Sequence, residues 1–487
     1  MNYIHHIQKV VKNAGVLLFG RLATYVLYFL FTILAARYLG PEDFGVLSLA
    51  IAFTGIFGIF MDIGLNLLTV REIARNKNLT DKYLGNVIMI KIILIVLTFG
   101  LITIVVNLLG YPKKTMIVIY IIMASVAVSA LSQIFYAIFQ AFEDMKYIFF
   151  GQVLNYSLLL LGSLLIVKMS SNVYLFSLLI LLVNLITLSY CITICTQKFA
   201  KPKIEVDISF WKTTIKESLP FGLSSIFITI YYYVDIVMLS LIIPDSDKVI
   251  GWYNAAYRLT LALLVIPSVY FASIYPIMSR LYKTSENLLK FIHERSLKYM
   301  VILAFPIGIM VTLLAENIIL LIFGPEFMPS AIALQILVWS TVFIYISQPF
   351  GQLVRSTNKQ MIETKITAIG AILNIFLNLL IIPKFSYIGA SITTVITEFF
   401  VLLAYILVFF KTEYGLKRKL FLDTGIKAFI SSLFMIIFIT LFKNIVPLPI
   451  LIILALFGYL GVFCLIKGFD RKDLEVFKAI FNLFNFR

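Results

Sequence analysis

Charged side chains inside otherwise apolar stretches are the residues of this chain that could do chemistry. Asp235 lies well inside Pro220–Pro244 and is the only formal charge of that stretch. A carboxylate in such a place costs at least a few kcal/mol unless it has a partner or water. Arg21 in the first apolar stretch and Arg258 in the eighth could supply a cation or line a wet cavity. We therefore interpret Asp235 either as the counter-ion of one of these arginines or as a proton or sodium site.

Five further polar groups in or beside apolar stretches have a structural explanation next to the functional one. Lys91 stands about six residues into the third stretch, where it either reaches the interface with its long side chain or lines a cavity as a third cation. Glu398 is either a second ion-coupling group or a buried hydrogen-bonding partner. Asn374 and Asn378 are spaced four residues apart, as expected for residues that hold helices together. Asp62 is expected to cap a helix or pair with a loop.

Catalytic and cofactor-binding patterns are absent from the sequence. Its three cysteines lie in apolar stretches and its three histidines outside them, without ligand spacing or a disulfide framework. The phosphate-binding pattern G-x-x-x-x-G-K-[ST] does not occur either. We therefore expect no enzyme activity, no metal and no cofactor. Any transport must then draw on an ion gradient, the membrane potential or the gradient of the substrate itself.

The elements that position these groups are predicted to be membrane-spanning helices. The 487 residues are 61% hydrophobic and 13% charged, whereas soluble proteins carry about 25% charged residues. Runs of about 20 apolar residues recur, which is typical of spanning helices and not of the alternating pattern of a barrel. The fold class is therefore an all-α integral membrane protein. The net charge of +16 is explained by lysines and arginines that hold loops in the cytoplasm, not by nucleic-acid binding.

Fourteen spans are predicted from the apolar runs and the turn residues between them. They run roughly over 13–36, 44–64, 85–109, 115–139, 147–167, 173–195, 219–243, 249–275, 298–323, 329–353, 363–382, 386–410, 425–442 and 449–466. With the N-terminus inside, the cytoplasmic segments carry 30 lysines and arginines and the outer turns carry 7. This bias predicts that both termini are cytoplasmic.

The order of the spans predicts two pseudo-symmetric halves. Residues 1–195 form an N-terminal bundle of six spans, 196–218 a cytoplasmic linker, 219–410 a second bundle, and 411–487 two extra spans and a tail. Six is an even number, so the repeat would be parallel. A trace of it remains at an offset of 206 residues, where Gly45–Ala50 matches Gly251–Ala256. Residues 1–12 and 467–487 are amphipathic and are expected to lie on the membrane surface.

Several motifs resemble one family of membrane proteins over nearly the whole chain. They are ARYLGPEDFGVLSLA (36–50), DIGLNLLTVREIAR (62–75), FQAFEDMKY (139–147), GWYNAAYRL (251–259), YPIMSRLY (275–282), FGPEF (323–327) and LNIFLNLLIIPKFSYIGASITTVITE (373–398). In these motifs the chain resembles the polysaccharide and O-antigen flippases of the multidrug/oligosaccharidyl-lipid/polysaccharide exporter superfamily. The resemblance implies two six-helix bundles around a cavity, two extra helices, and export of lipid-linked glycans by alternating access. It also implies cavity cations on the first and eighth helices, where Arg21 and Arg258 stand. Drug exporters of the superfamily commonly carry an acidic ion site on the first helix, and this first span has no acid.

The leading hypothesis is thus a flippase for a polyprenyl-diphosphate oligosaccharide in the cell membrane. Its expected partners are the lipid-linked glycan, membrane lipids and glycan assembly enzymes. A cation-coupled exporter of small molecules or drugs is the alternative within the same fold. A membrane glycan polymerase or glycosyltransferase would need a sizeable outer loop or an acidic metal motif, and only Asp245-Ser246-Asp247 offers one. A scaffold without transport would leave the internal charges unexplained.

Overall fold

The protein is helical throughout the part of the chain that its structure describes. A computed structural model describes residues 2–169, 172–200, 205–410, 412, 414, 418–473 and 475, with side chains for all of these except 2–21, 223–225 and 418–420. No strand occurs among these residues. The predicted all-α class is confirmed.

Membrane-spanning helices account for most of the described chain. The helices are α1 (Asn2–Gly58), α2 (Leu65–Arg75), α3 (Thr80–Leu109), α4 (Lys113–Ala141), α5 (Met145–Met169), α6 (Val173–Lys198), α7 (Ile208–Ile242), α8 (Asp247–Leu263), α9 (Val265–Thr284), α10 (Glu286–Ile322), α11 (Ser330–Ser356), α12 (Gln360–Phe409), α13 (Arg418–Phe442) and α14 (Leu448–Leu465). By length and composition, eleven helical segments of the described residues can cross a membrane. They become twelve when Ile208–Gly222 and Ile226–Ile242, which meet at 56°, count as one span. The chain is therefore a multi-pass membrane protein, and the count of fourteen spans stays a prediction.

The structure joins predicted neighbouring spans in two long helices, α1 and α12, each of which contains a non-helical residue. In α1 this residue is Gly40, with φ 70° and ψ 173°, a conformation that suits glycine, and Pro41 can begin the next helical turn. In α12 it is Ser386, with φ 53° and ψ −134°. A Cβ atom built on Gly389 would lie 2.9 Å from the carbonyl oxygen of Ile381, although eight residues of straight helix span about 12 Å. The chain therefore doubles back at Ser386, beside the predicted turn at 383–385.

The chain divides into two compact units. The first comprises Met1–Val265, Ile322–Ser330 and Thr367–Thr393, and the second comprises Ile266–Leu321, Ala331–Ile366 and Thr394–Arg487. In the first unit one apolar core is centred on residues such as Phe53 and Phe176, and another on residues such as Phe139. The three cysteines, at 191, 195 and 464, are free thiols in the structure.

In the second unit an ion network joins α10 to the segment after α14. Asp473 is fully buried and accepts hydrogen bonds from Lys298, from Arg295 at 2.9 Å and from the Tyr299 hydroxyl at 3.2 Å. Asp470 accepts a second hydrogen bond from Arg295 at 2.6 Å. The network holds the chain beyond the last span against α10. The amphipathic surface helices predicted over 1–12 and 467–487 fall largely outside the described residues and side chains.

Candidate functional site

The helices that carry the candidate site cross at two glycines. A Cβ atom on Gly45 of α1 would collide with the carbonyl oxygen of Asp247, and one on Gly251 of α8 would collide with that of Pro41. One turn further along, the Asn254 amide donates to Ser48 Oγ at 2.5 Å. Because no side chain separates the two backbones, α1 and α8 approach closely. The side chains next to this crossing on α1 and α8 therefore lie close to one another.

Arg258 of α8 lies next to aromatic groups of α1 and α7. Its guanidinium carbon is 5.5 Å from the centre of the Tyr28 ring, a cation–π arrangement. The hydroxyl-bearing rings of Tyr233 and Tyr257 also stand close enough to act on it electrostatically. A recess of about 270 Å³ opens beside it and is lined otherwise by mainly apolar and aromatic residues of α1 and the end of α8, including Tyr25 and Leu261.

No carboxylate pairs with Arg258 among the described residues. It forms no ion pair with them, and its Nε atom is buried without a hydrogen-bond partner. The Arg258 side chain is half-buried, and a cation partly removed from water without a counter-ion is unfavourable. Aromatic faces compensate only part of that cost, at most about 2 kcal/mol or slightly more for a desolvated pair. The recess thus combines one unpaired guanidinium with an apolar lining, which suits an amphiphile with an anionic head.

Two neutral groups donate hydrogen bonds to Asp235 of α7. Asp235 is only 5% exposed. Its Oδ2 accepts from the Tyr253 hydroxyl of α8 and its Oδ1 from the Asn378 amide of α12, each at 2.6 Å. Since Arg258 has no carboxylate partner, the predicted pairing of Asp235 with this arginine is not present in the structure. The sequence interpretation of Asp235 as an ion site stays a prediction.

Two asparagines on α12 extend the Asp235 contacts. Asn378 donates to Asp235 and so joins α12 to α7, as expected, and it donates to Asn374 Oδ1 on its own helix at 3.0 Å. The Oδ1 atom of Asn378 is buried and accepts no hydrogen bond from the described residues. Carboxylate and amide oxygens therefore gather at one buried place between α7 and α12. Oxygen donors of this kind are suited to a hard cation.

Lys91 of α3 is fully buried, so it does not reach the protein surface as the interface interpretation required. Its Nζ lies 2.8 Å from Asp62 Oδ1 and donates to Asn66 Oδ1 and to the Ala130 carbonyl oxygen, each at 2.9 Å. An ammonium has three donors, and all three are used. Asp62 also accepts from the Asn66 backbone N–H at 3.3 Å, which confirms its predicted capping role.

The other predicted site residues are not brought to Arg258 by the described contacts. The side chain of Arg21 lies outside the described residues. Glu398 is 7% exposed and belongs to the second unit, whereas Asp235 belongs to the first. Sequence reasoning missed Tyr28 as a partner of Arg258 and Tyr253 as a partner of Asp235. The run of three tyrosines before Asp235 was a signal of an aromatic environment, but nothing in the spacing pointed to α1 or α8.

Comparison with known proteins places the chain in a family. The sequence profile described as "Polysaccharide biosynthesis protein" matches residues 10–282, more than half of the chain. The chain belongs to the polysaccharide biosynthesis protein family. A second profile, MatE, matches residues 220–380. The resemblance noted in the motifs is thereby confirmed, and so is the assignment to the cell membrane as a multi-pass protein.

Relatives of this family member match it at low identity. It is 24% identical over 407 residues to the capsular polysaccharide biosynthesis protein CapF of Staphylococcus aureus, covering 81% of this chain and 98% of that protein. It is 23% identical over 366 residues to a candidate O-antigen transporter of Escherichia coli (strain K12), covering 74% and 87%. A match at 33% identity to an uncharacterised membrane protein of Methanocaldococcus jannaschii covers 26% of this chain and a quarter of that protein.

A solved structure shares the fold. The lipid II flippase MurJ in an inward closed conformation superposes with a TM-score of 0.73 at 15% identity, covering 94% of this chain and 98% of that one. At this identity the likeness concerns the arrangement of helices only.

Proposed function

We propose that the protein moves a lipid-linked oligosaccharide, carried on polyprenyl diphosphate, from the cytoplasmic to the outer leaflet. The observation that carries the proposal is Arg258, an unpaired guanidinium in an apolar and aromatic recess. A diphosphate brings about two negative charges, and the guanidinium fork binds phosphate oxygens in pairs. The apolar lining suits the first carbons of a lipid tail. The names of the relatives, an O-antigen transporter and a capsular polysaccharide protein, support the substrate class.

Arg21 is proposed as a second cation for the diphosphate. It stands on α1 two turns before Tyr28, the ring that lies against Arg258. Residues seven apart on a helix lie on similar sides of it. Lys91 is not included in the binding site, because its three donors are used within the protein.

The proposed movement is alternating access across fourteen crossings with both termini in the cytoplasm. A straight helix of 57 residues, the length of α1, would be about 85 Å long, against about 30 Å of hydrocarbon. The breaks at Gly40 and Ser386 support two crossings each for α1 and α12. Two crossings in each of these helices turn the twelve candidate spans into fourteen.

The test of substrate recognition replaces Arg258. Purified protein in lipid nanodiscs would be titrated with undecaprenyl diphosphate, and flipping of a fluorescent lipid-linked sugar would be followed in proteoliposomes. Each lost charged hydrogen bond is worth on the order of 1.5–3 kcal/mol, so Arg258→Ala is expected to weaken binding about 10- to 100-fold. Arg258→Lys keeps the charge without the fork and should restore only part of the affinity.

The matched control is Arg280→Ala, which removes an exposed arginine of α9 and should change neither binding nor flipping. Wild-type affinity and flipping in the Arg258→Ala variant would contradict the proposal. Tight binding of organic cations by the wild type would instead favour the cation-coupled exporter, for which the MatE match is the supporting observation. An unpaired guanidinium in the recess disfavours such cations by like-charge repulsion.

Asp235 is proposed to couple flipping to a cation gradient, with Asn374 and Asn378 supplying further oxygens. If so, the Asp235→Asn variant should flip at one rate whether or not a sodium or proton gradient is imposed across the proteoliposome, whereas the wild type should respond to one of them. Asp245→Asn, a change in a turn, is the control and should keep the wild-type response. A gradient response that survives in Asp235→Asn would remove the coupling role. Glu398, buried in the second unit, remains a second candidate for coupling.

A further inference from the structure

A second recess in the first unit is polar and carries no formal charge. It lies among α4, α5 and α6 and measures about 240 Å³. Nine of its eleven lining residues are polar: Ser129, Ser132, Gln133, Tyr136, Gln152, Asn155, Tyr156, Asn184 and Thr187. A hydrogen-bonding surface of this kind inside a helical membrane bundle requires water or a polar ligand.

Three of the lining residues, Asn155, Asn184 and Thr187, belong to a hydrogen-bond network that fixes the shape of the recess. Asn155 Nδ2 donates to Asn184 Oδ1 at 2.9 Å and to Thr187 Oγ1 at 3.0 Å. Asn184 Nδ2 in turn donates to Ser125 Oγ at 2.7 Å. These bonds tie α4, α5 and α6 together and leave little freedom to the side chains that make them.

The two glutamines of the recess are not part of this network. Among the described residues, neither the Gln133 nor the Gln152 amide has a hydrogen-bond partner. Gln133 is exposed, eight residues before the end of α4, and Gln152 is seven residues after the start of α5. These offsets correspond to about 10–12 Å of helix. We expect that free amides at that distance from the helix ends do not face lipid, because an unsatisfied polar group in hydrocarbon costs several kcal/mol.

A tyrosine that lines the Arg258 recess contacts a tyrosine that lines the polar recess. The Arg258 guanidinium carbon is 5.5 Å from the centre of the Tyr28 ring. The Tyr28 ring is in turn 5.5 Å, edge to face, from that of Tyr156, which lines the polar recess. An anion held at Arg258 would therefore have a neutral hydrogen-bonding surface within the reach of a group attached to it.

We infer that the α4–α5–α6 recess binds a neutral sugar residue of the lipid-linked substrate, next to a diphosphate held at Arg258. The inference rests on the proposed function and deepens it. Each free amide offers a donor and an acceptor, which match a pair of neighbouring hydroxyls. The rings of Tyr136 and Tyr156 offer flat apolar surfaces to the C–H faces of a sugar. A lining without formal charge selects a neutral residue over an acidic one.

The test compares lipids that differ only in the sugar. Protein in nanodiscs is titrated with undecaprenyl diphosphate and with the same lipid carrying glucose, galactose or N-acetylglucosamine. In the wild type at least one sugar is expected to tighten binding about 10-fold, the equivalent of two neutral hydrogen bonds. In the Gln133→Leu, Gln152→Leu double variant the ratio of the affinities with and without the sugar should fall to about one. Affinity for undecaprenyl diphosphate itself should stay unchanged, which shows that the variant is folded.

The matched control is Gln140→Leu, on the same helix but outside the recess, which should keep the full gain from the sugar. The inference is overturned if none of the three sugars tightens binding to the wild type, or if the double variant keeps the gain. The proposed function fails by a different result, namely undecaprenyl diphosphate affinity that is unchanged in Arg258→Ala. The two failures are therefore read from different titrations.

Discussion

Replacing Lys91 by methionine is expected to destabilise the protein without weakening its binding of an anionic lipid. The ammonium joins α3 to Asp62, to Asn66 and to the Ala130 carbonyl of α4. Methionine keeps an unbranched side chain of similar length but has no donor. The substitution therefore leaves a carboxylate and two neutral oxygens without their shared partner and creates no large cavity.

The size of the loss follows from the burial of the two charges. Removing one partner of a buried ion pair costs about 3–5 kcal/mol. Lys91 is fully buried, but the Asp62 side chain keeps 30% of its exposure and also accepts from the Asn66 backbone N–H. Water can reach the carboxylate that is left, so we expect about 2–4 kcal/mol for Lys91→Met. Lys91→Met with Asp62→Asn removes both charges and should recover much of this loss.

Two buried cysteines allow the unfolding to be followed directly. Cys191 and Cys195 are buried and Cys464 is exposed, so a Cys464→Ser background reports unfolding through labelling by a thiol-reactive dye in detergent. The midpoint of the unfolding transition should fall in Lys91→Met and return toward the wild-type value in Lys91→Met with Asp62→Asn. Binding of undecaprenyl diphosphate in nanodiscs should stay at the wild-type value in both. An unchanged midpoint together with lost binding would refute the reasoning and would make Lys91 the substrate cation that the sequence suggested.

Three further outcomes are expected. Gly45→Ala should greatly reduce the yield of folded protein on size-exclusion chromatography, because its Cβ would collide with a backbone oxygen of α8. The control is Gly100→Ala, where an added Cβ has no atom within 4 Å; it should be neutral or stabilise the protein by up to about 1 kcal/mol. Asp473→Ala should cost about 3 kcal/mol in the same dye assay, because it removes the buried acceptor of Arg295 and Lys298 and leaves them only the half-exposed Asp470. Asp423→Ala at an exposed helix pair should cost under about 1 kcal/mol. Burial raises the pKa of Asp470, but hydrogen bonds and nearby cations outweigh burial and lower that pKa to about 2 from 3.8. The ionised carboxylate therefore stabilises the fold fully above the pKa of the unfolded chain, and this stabilisation is lost as the pH falls toward 2. Asp470→Asn should accordingly flatten the acid dependence of the unfolding midpoint between pH 4 and 2.

The breaks between helices were predictable because their causes are local. Gly40 followed by Pro41 predicts an interruption from two residues alone, since glycine accepts a positive φ and proline can start the next helix. The turn near Pro383 was predicted in the same way, and the structure has its break at Ser386. Spacing likewise put Asn374 and Asn378 on one face of a helix, and they do bond to each other there.

Partners on different helices were not predictable, because periodicity gives the face of a helix and not the helix it meets. Lys91 and Asp62 were each noticed in the sequence, yet their pairing depends on how α3 packs beside the start of α2. The network of Arg295 and Lys298 with Asp473 was missed altogether. Its members looked like ordinary charges of cytoplasmic loops, and they are separated by more than 170 residues.

The likeness of Gly45–Ala50 to Gly251–Ala256 has a physical reason at the crossing of α1 and α8. Gly45 meets Asp247 and Gly251 meets Pro41, and both the two glycines and the two residues that they meet are 206 apart in the sequence. Reciprocal contacts of this kind are what two related repeats make where they meet near a two-fold axis. Each glycine contacts the backbone of the other helix, so a larger side chain at either position would push α1 and α8 apart. Close packing therefore demands glycine at both positions, which gives these two segments a physical reason to be alike.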